Sequence, residues 1–208
     1  MRLLVATAVP AERDAVLAGL PERHQVHVIT VGVGPAAAAA GGAYEIARAQ
    51  AAGAPYQAVL SAGVAGGLPG RAEVGAVVLA SRSVAADLGA ESPEGFIPID
   101  QLGFGNPVIE AADLITCPDA VVGEILTVST VTGGAETTAE LCRRHPYAAA
   151  EAMEGFGVGT AASQAGLPFG ELRAISNLVG PRDKSAWRLK EALAGLSRAV
   201  ETAMKEWT

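Results

Sequence analysis

Aromatic side chains are scarce in this chain: four Phe, three Tyr and two Trp make up 4% of its 208 residues. Apolar residues still reach 50%, so a core must be assembled from small side chains that let elements pack closely. Cysteine is limited to Cys117 and Cys142, without CxxC spacing, which excludes a disulfide scaffold and fits reduced thiols. His24, His27 and His145 are too scattered for a metal site, so no metal is expected. Positive charge is also in deficit, with 15 Lys and Arg against 22 Asp and Glu, a net charge of −7. No basic cluster offsets it, which excludes a surface for nucleic acid or an anionic membrane and leaves a small molecule as the expected partner. Long apolar runs are missing too. "VITVGVGPAAAAAGGA" is interrupted by Gly32, Gly34, Pro35, Gly41 and Gly42, too often to span a bilayer. The N-terminal run has only Arg2 before it and meets Pro10 and charges too early for a secretory signal. The expectation is a cytoplasmic protein with one domain over residues 1–208, long enough to bury a substantial core.

What is present is alternation. "RLLVATAV" (2–9) and "VHVITVGVG" (26–34) read as strands, and 35–52 as a helix opened by Pro35. "AVLSAGVAGG" (58–67) reads as a buried strand running into a glycine turn, and 75–88 as another strand. Over 89–118 the pattern weakens under Pro, Gly and Asp, which predicts an excursion over the surface. "GEILTVSTVTG" (123–133) resumes the sheet, 135–145 and 154–166 look helical, and "GELRAISNLV" (170–179) is the last buried strand. A closing amphipathic helix is expected over 184–207. The sum predicts a three-layer α/β/α fold with a central mixed, largely parallel sheet. Ligands in such folds sit at the carboxyl ends of strands, which singles out 10–13, 64–67, 130–133 and 176–180.

Four pieces there could carry chemistry. Glu12 follows the first strand in "AVPAERDAV"; its commonplace role is an acid in the first turn of a helix. "GVAGGL" (63–68) lets backbone approach a ligand, although it does not fit GxGxxG and is a weak dinucleotide signal. Met153 and Glu154 stand before a small-residue helix in "EAMEGFGVG", where core filler and solvated charge are the ordinary readings. Asn177 closes an apolar strand in "RAISNLVG", where an Asn can simply cap a turn through its own backbone bonds.

Taken in order, the strand-plus-Glu, "SAGVAGG", "AMEG" and "RAISN" resemble the purine nucleoside phosphorylase/nucleosidase family, particularly its hydrolytic branch. The resemblance runs over nearly the whole chain and is densest in "AMEGFGVG" and "RAISNLVGPRD". It implies a nucleoside phosphorylase-like fold, no cofactor or metal, a nucleoside substrate and a homo-oligomer. By the same resemblance Glu12 holds and deprotonates the attacking water. Glu154 accepts from the ribose 2′- and 3′-hydroxyls, and Met153 lies along the sugar. Val64, Ala65 and Gly66 supply contacts to the substrate, with Val64 where many relatives carry Ser. Asn177 stands where adenine-releasing nucleosidases carry Asp. An amide can donate to O6 and accept from an N7–H, which points to a 6-oxopurine base. Arg182 is expected to hold a carboxylate on a 5′ extension of the substrate, or to order the loop over it; pairing with Asp183 is the ordinary alternative. Phosphate would need fixed cations, typically Arg, and a serine or glycine donor set. Arg13 is the one Arg near the first strand end and no serine lies in "GVAGG", so hydrolysis is expected. The rival readings are an adenine-releasing nucleosidase, a phosphorylase, and a non-catalytic nucleoside-binding protein.

Overall fold

A computed structural model describes residues 2–21 and 25–205. Its first strand, β1 (Leu3–Thr7), is fully buried and shows how both faces of the sheet are covered. Leu3 and Val5 join one apolar cluster with Val16 and Leu196, whereas Leu4 and Ala6 join another with Ile46 and Val158. Successive side chains of a strand point to opposite faces, so this strand needs a helical layer on each side. One layer holds α1 (Pro10–Gly19) and α5 (Leu189–Met204), the other α2 (Pro35–Ala51) and α4 (Gly155–Gln164).

Beside β1 lie β2 (Val26–Thr30) and β3 (Ala58–Gly67), both parallel to it. The rest of the main sheet comprises β4 (Val77–Ala85), β7 (Val108–Glu110), β8 (Val121–Thr127), β9 (Ala148–Ala152) and β10 (Phe169–Leu178), with α3 (Ala135–Arg144) between β8 and β9. The path β10-β4-β8-β9-β3 closes on itself, because β10 also pairs with β3. This ring mixes parallel pairs with two antiparallel ones, β10–β4 and β3–β9. The expected layered, mixed sheet is present, and the closure is an addition that local periodicity does not encode. Its interior is filled by small and branched side chains, among them Ala65, Ala80, Ala150, Ile125 and Ile175.

Three local expectations change, and one segment that carried none forms a strand. The segment 89–118 contains the hairpin β5 (Gly89–Ser92) and β6 (Gly95–Pro98), and its β7 adds to the main sheet along β4. Residues 148–152, "AAAEA", have the composition of a helix yet form a strand wedged between β8 and β3, where tertiary pairing overrides propensity. The glycines of "GVAGG" belong to strand β3 itself, not to a turn after it. At the C-terminus, a 3-10 turn (Lys184–Ala186) precedes α5; His24 and Trp207, the far end of the expected helix, lie outside the described residues.

Candidate active site

The carboxyl half of β3 organises the site. Gly63 pairs with Arg173 of β10, and Gly66 pairs with Asn177 of β10 on one side and Glu151 of β9 on the other. Three residues of strand separate these two positions, roughly 10 Å.

At the first position lies a buried charge cluster. Glu12 is the third residue of α1 and 4% exposed. Its Oε2 accepts from the backbone N–H of Ala8 at 2.9 Å and Val9 at 3.2 Å, which fastens the helix start. Its Oε1 accepts from Val64 N–H at 2.9 Å, tying the same carboxylate to β3. The ordinary helix-start role is therefore real, and a second contact reaches beyond it. A Cβ on Gly63 would stand 2.5 Å from Glu12 Oε1 and 2.7 Å from Arg173 Nη1. Only glycine leaves those two charged groups their room.

Arg173 is 1% exposed and was not among the candidates from sequence. Its Nε donates to Glu171 Oε1 at 2.9 Å, its Nη2 to Ser61 Oγ at 3.0 Å, and its Nη1 lies 3.5 Å from Glu154 Oε2. Burial opposes its charge, but Glu171, Glu154 and Glu12 outweigh that and raise its pKa. Glu171 is fully buried and accepts from the Ser83 hydroxyl. Burial raises its pKa, with Arg173 and Ser83 pulling the other way. One guanidinium facing three carboxylates leaves local negative charge in excess, so of the coupled pair we assign the extra proton affinity to Glu171 and keep Arg173 cationic. A signal was available: Glu171 and Arg173 stand two apart within the otherwise apolar stretch 169–175, so both point to one buried face.

Glu154 occupies the N-cap position of α4 but does not cap it; the N–H of Phe156 is taken by Thr127 Oγ1 at 2.9 Å instead. This frees the Glu154 carboxylate to accept from Gly34 N–H at 3.1 Å and to face Arg173. Met153 is half-buried in the turn before it. Glu12 and Glu154, which follow the ends of β1 and β9, are thus brought to Arg173 in the middle of β10.

The second position opens into a cavity of about 270 Å³, lined by Gly66, Thr132, Glu151, Asn177, Arg182 and Trp187 among others. Asn177 reaches it through a bulge in β10: Ile175 pairs with Ala65 and Asn177 with Gly66, so Ser176 is the extra residue. Without it Ser176, not Asn177, would stand opposite Gly66. Asn177 Oδ1 accepts from the Ser176 hydroxyl at 2.8 Å, and its Nδ2 donates to Leu178 O at 3.0 Å. One N–H and one lone pair are left over. Arg182 is exposed and stands with its guanidinium 5.8 Å from the Trp187 ring centroid, while Asp183 is engaged by Ser185. The alternative pairing of Arg182 with Asp183 does not form. Val64 serves through its backbone N–H and Ala65 is in the core, so of the glycine-run candidates only Gly66 lines the cavity. Arg13 is a surface residue, its side chain 47% exposed and 3.7 Å from Asp14. Among the described residues, no group of three or more His, Cys, Asp or Glu could hold a metal ion, and no helix is long and apolar enough to cross a membrane.

A family model, the Phosphorylase superfamily, matches residues 6–205. The chain belongs to this superfamily. Its relatives in the superfamily include a futalosine hydrolase of Streptomyces coelicolor, 48% identical, with 96% of this chain and 94% of the relative covered. Another from Acidothermus cellulolyticus is 42% identical over 100% of this chain and 92% of the relative. Among solved structures of the same fold, native futalosine hydrolase of Helicobacter pylori has a TM-score of 0.79 at 18% identity, covering 99% of this chain and 98% of that one. A 5′-methylthioadenosine/S-adenosylhomocysteine nucleosidase from Colwellia psychrerythraea, in complex with adenine, has a TM-score of 0.78 at 24% identity, covering 97% and 93%.

Proposed function

We propose that this chain hydrolyses the N-glycosidic bond of futalosine, releasing hypoxanthine and dehypoxanthinylfutalosine for menaquinone biosynthesis. The observation that carries the reading is Asn177 standing opposite Gly66 in the cavity, in a chain 48% identical to a futalosine hydrolase. The nucleoside lies along the end of β3, with its base at Gly66 and its sugar toward Gly63. Asn177 donates to O6 and accepts from the N7–H that forms as the bond breaks.

Bond breaking passes through an oxocarbenium-like sugar. Glu12 takes the proton of the attacking water, and Arg173, held by Glu171 and Ser61, fixes the geometry of the carboxylates. Glu154 accepts from the ribose hydroxyls, and Met153 forms an apolar wall beside the ring. The excess of carboxylate over guanidinium favours the cationic sugar. It also disfavours a phosphate dianion, because the buried arginine near Glu12 is already engaged by Glu171, Ser61 and Glu154. Water is the nucleophile that this electrostatic setting suits. Arg182 and Trp187 receive the carboxylate-bearing 5′ extension. The enzyme works in the cytoplasm as a homo-oligomer, which covers exposed apolar side chains such as Phe104, Tyr44 and Val33.

The test is to incubate the purified chain with futalosine, aminofutalosine, inosine and methylthioadenosine in phosphate-free buffer and identify the free bases. Hypoxanthine from futalosine is the expected product. Adenine as the favoured product, or strict dependence on added phosphate, would replace the proposal with an adenine nucleosidase or a phosphorylase. Binding of base without any cleavage would leave a nucleoside-binding protein.

A further inference from the structure

The charge on Glu151 has no counterpart in the chemistry above. This residue is 5% exposed, lines the cavity and stands opposite Gly66 on the side away from Asn177. Its Oε1 accepts from Thr132 N–H at 2.8 Å and its Oε2 from the Thr132 hydroxyl at 2.5 Å. Among the described residues no Lys, Arg or His lies within ion-pair distance of it. Burial raises its pKa against the two bonds from Thr132, and the other charged group bearing on it, Asp87, is of like sign. Pinning the 129–133 loop through Thr132 does not require charge, since a neutral amide would do the same. Adjacent strands lie about 4.8 Å apart, so the Glu151 and Asn177 backbones flank Gly66 across roughly 10 Å. A Cβ on Gly66 would press on Val179 Cγ2 at 2.9 Å and Asn177 Nδ2 at 3.4 Å, so glycine keeps the floor of this slot flat.

We propose that Glu151 reads the base together with Asn177, its carboxylate accepting the N1–H that a 6-oxopurine carries and a 6-aminopurine lacks. The inference rests on the reading of Asn177 as the O6 and N7 contact. Each carboxylate oxygen engaged by Thr132 has a further lone pair for the ligand. An ionised carboxylate accepts only, so it meets N1–H favourably and the bare N1 lone pair of adenine unfavourably. Two readers on opposite edges of the ring discriminate more sharply than either alone, because the wrong base strands buried polar atoms at both.

The experiment is titration calorimetry of hypoxanthine, adenine and 1-methylhypoxanthine with wild type, Glu151→Gln and Thr132→Val. Wild type should prefer hypoxanthine. Glu151→Gln, whose amide can donate to N1 of adenine, should lower that preference by about 10–100-fold. Thr132→Val should shift both bases by the same factor. In wild type, blocking N1 with a methyl group should weaken binding by a similar 10–100-fold, a readout that needs no variant to fold. If Glu151→Gln and Thr132→Val both weaken the two bases equally, or if 1-methylhypoxanthine binds as well as hypoxanthine, the proposal is overturned and Glu151 only holds the loop. A wild-type preference for adenine would instead overturn the 6-oxopurine reading of Asn177, before any variant is compared.

Discussion

Replacing Glu12 by Gln separates its two duties. The carboxylate accepts three backbone N–H groups, two at Oε2 and one at Oε1. An amide has one acceptor oxygen, which is best retained toward Ala8 and Val9, so its NH₂ faces the Val64 N–H. One buried hydrogen bond is lost and a donor meets a donor, a loss of about 1–3 kcal/mol. For a chain near this size each kcal/mol moves Tm by about 2–4 °C, so Tm should fall by about 2–12 °C. Catalysis should suffer far more. An amide cannot take a proton from water at neutral pH, and loss of a positioned general base lowers turnover by about 10²–10⁴-fold, or about 2.7–5.5 kcal/mol of barrier. Hypoxanthine release from futalosine, followed by chromatography at a temperature well below both Tm values, gives kcat; calorimetry with hypoxanthine gives binding. Binding should stay within about 2-fold, as the base sits three residues further along β3. A lowered Tm with wild-type kcat would refute the reasoning and leave Glu12 as a helix-start anchor only.

Asn177→Asp puts acceptor against O6 and should lower kcat/KM for the 6-oxo nucleoside by roughly 2–4 kcal/mol, with the 6-amino form losing far less; an unchanged ratio between the two bases would remove Asn177 as the base reader. Glu154→Ala should slow the ribosyl substrate more than its 2′-deoxyribosyl counterpart, and equal losses in kcat/KM would contradict the hydroxyl contact. It also strips one carboxylate from Arg173, so its Tm should be recorded alongside. Arg182→Ala should raise KM for futalosine and leave inosine cleavage unchanged, since the arginine is exposed at the cavity mouth; parallel effects would sink the 5′ contact. Burial raises the pKa of Glu151 above 4.5, so the folded state holds this proton more tightly than the unfolded chain. Its contribution is therefore fully present below about pH 4.5 and is lost as pH rises through the folded pKa. Thermal melts of wild type and Glu151→Gln from about pH 4 upward should show the Tm of the variant gaining on wild type as pH rises, and a variant that loses ground to wild type as pH rises would contradict the direction of the shift.

Much of this protein was decided by local pattern. Alternation of β-branched runs with alanine-rich helical ones was enough for the layers, because one strand with two apolar faces can only be covered from both sides, as Leu3, Leu4, Val5 and Ala6 are. Glu12, Glu154 and Asn177 stood out in the sequence as polar groups at element ends. What local pattern did not contain was partnership. Arg173 and Glu171 read as part of a buried strand, and their roles arise only when Ser61 of β3, Ser83 of β4 and the start of α4 are packed around them. "AAAEA" becomes a strand because β8 and β3 offer unpaired edges on either side of it, which an alanine-rich segment cannot reveal by itself. The pairing of Asn177 with Gly66 depends on a one-residue bulge, and a register is a property of two strands joined across more than a hundred residues of chain. Short-range periodicity fixes which face a side chain takes relative to its neighbours. Only closure of the sheet decides which distant groups meet there, because desolvated charges and strand edges find their partners in space and not along the chain.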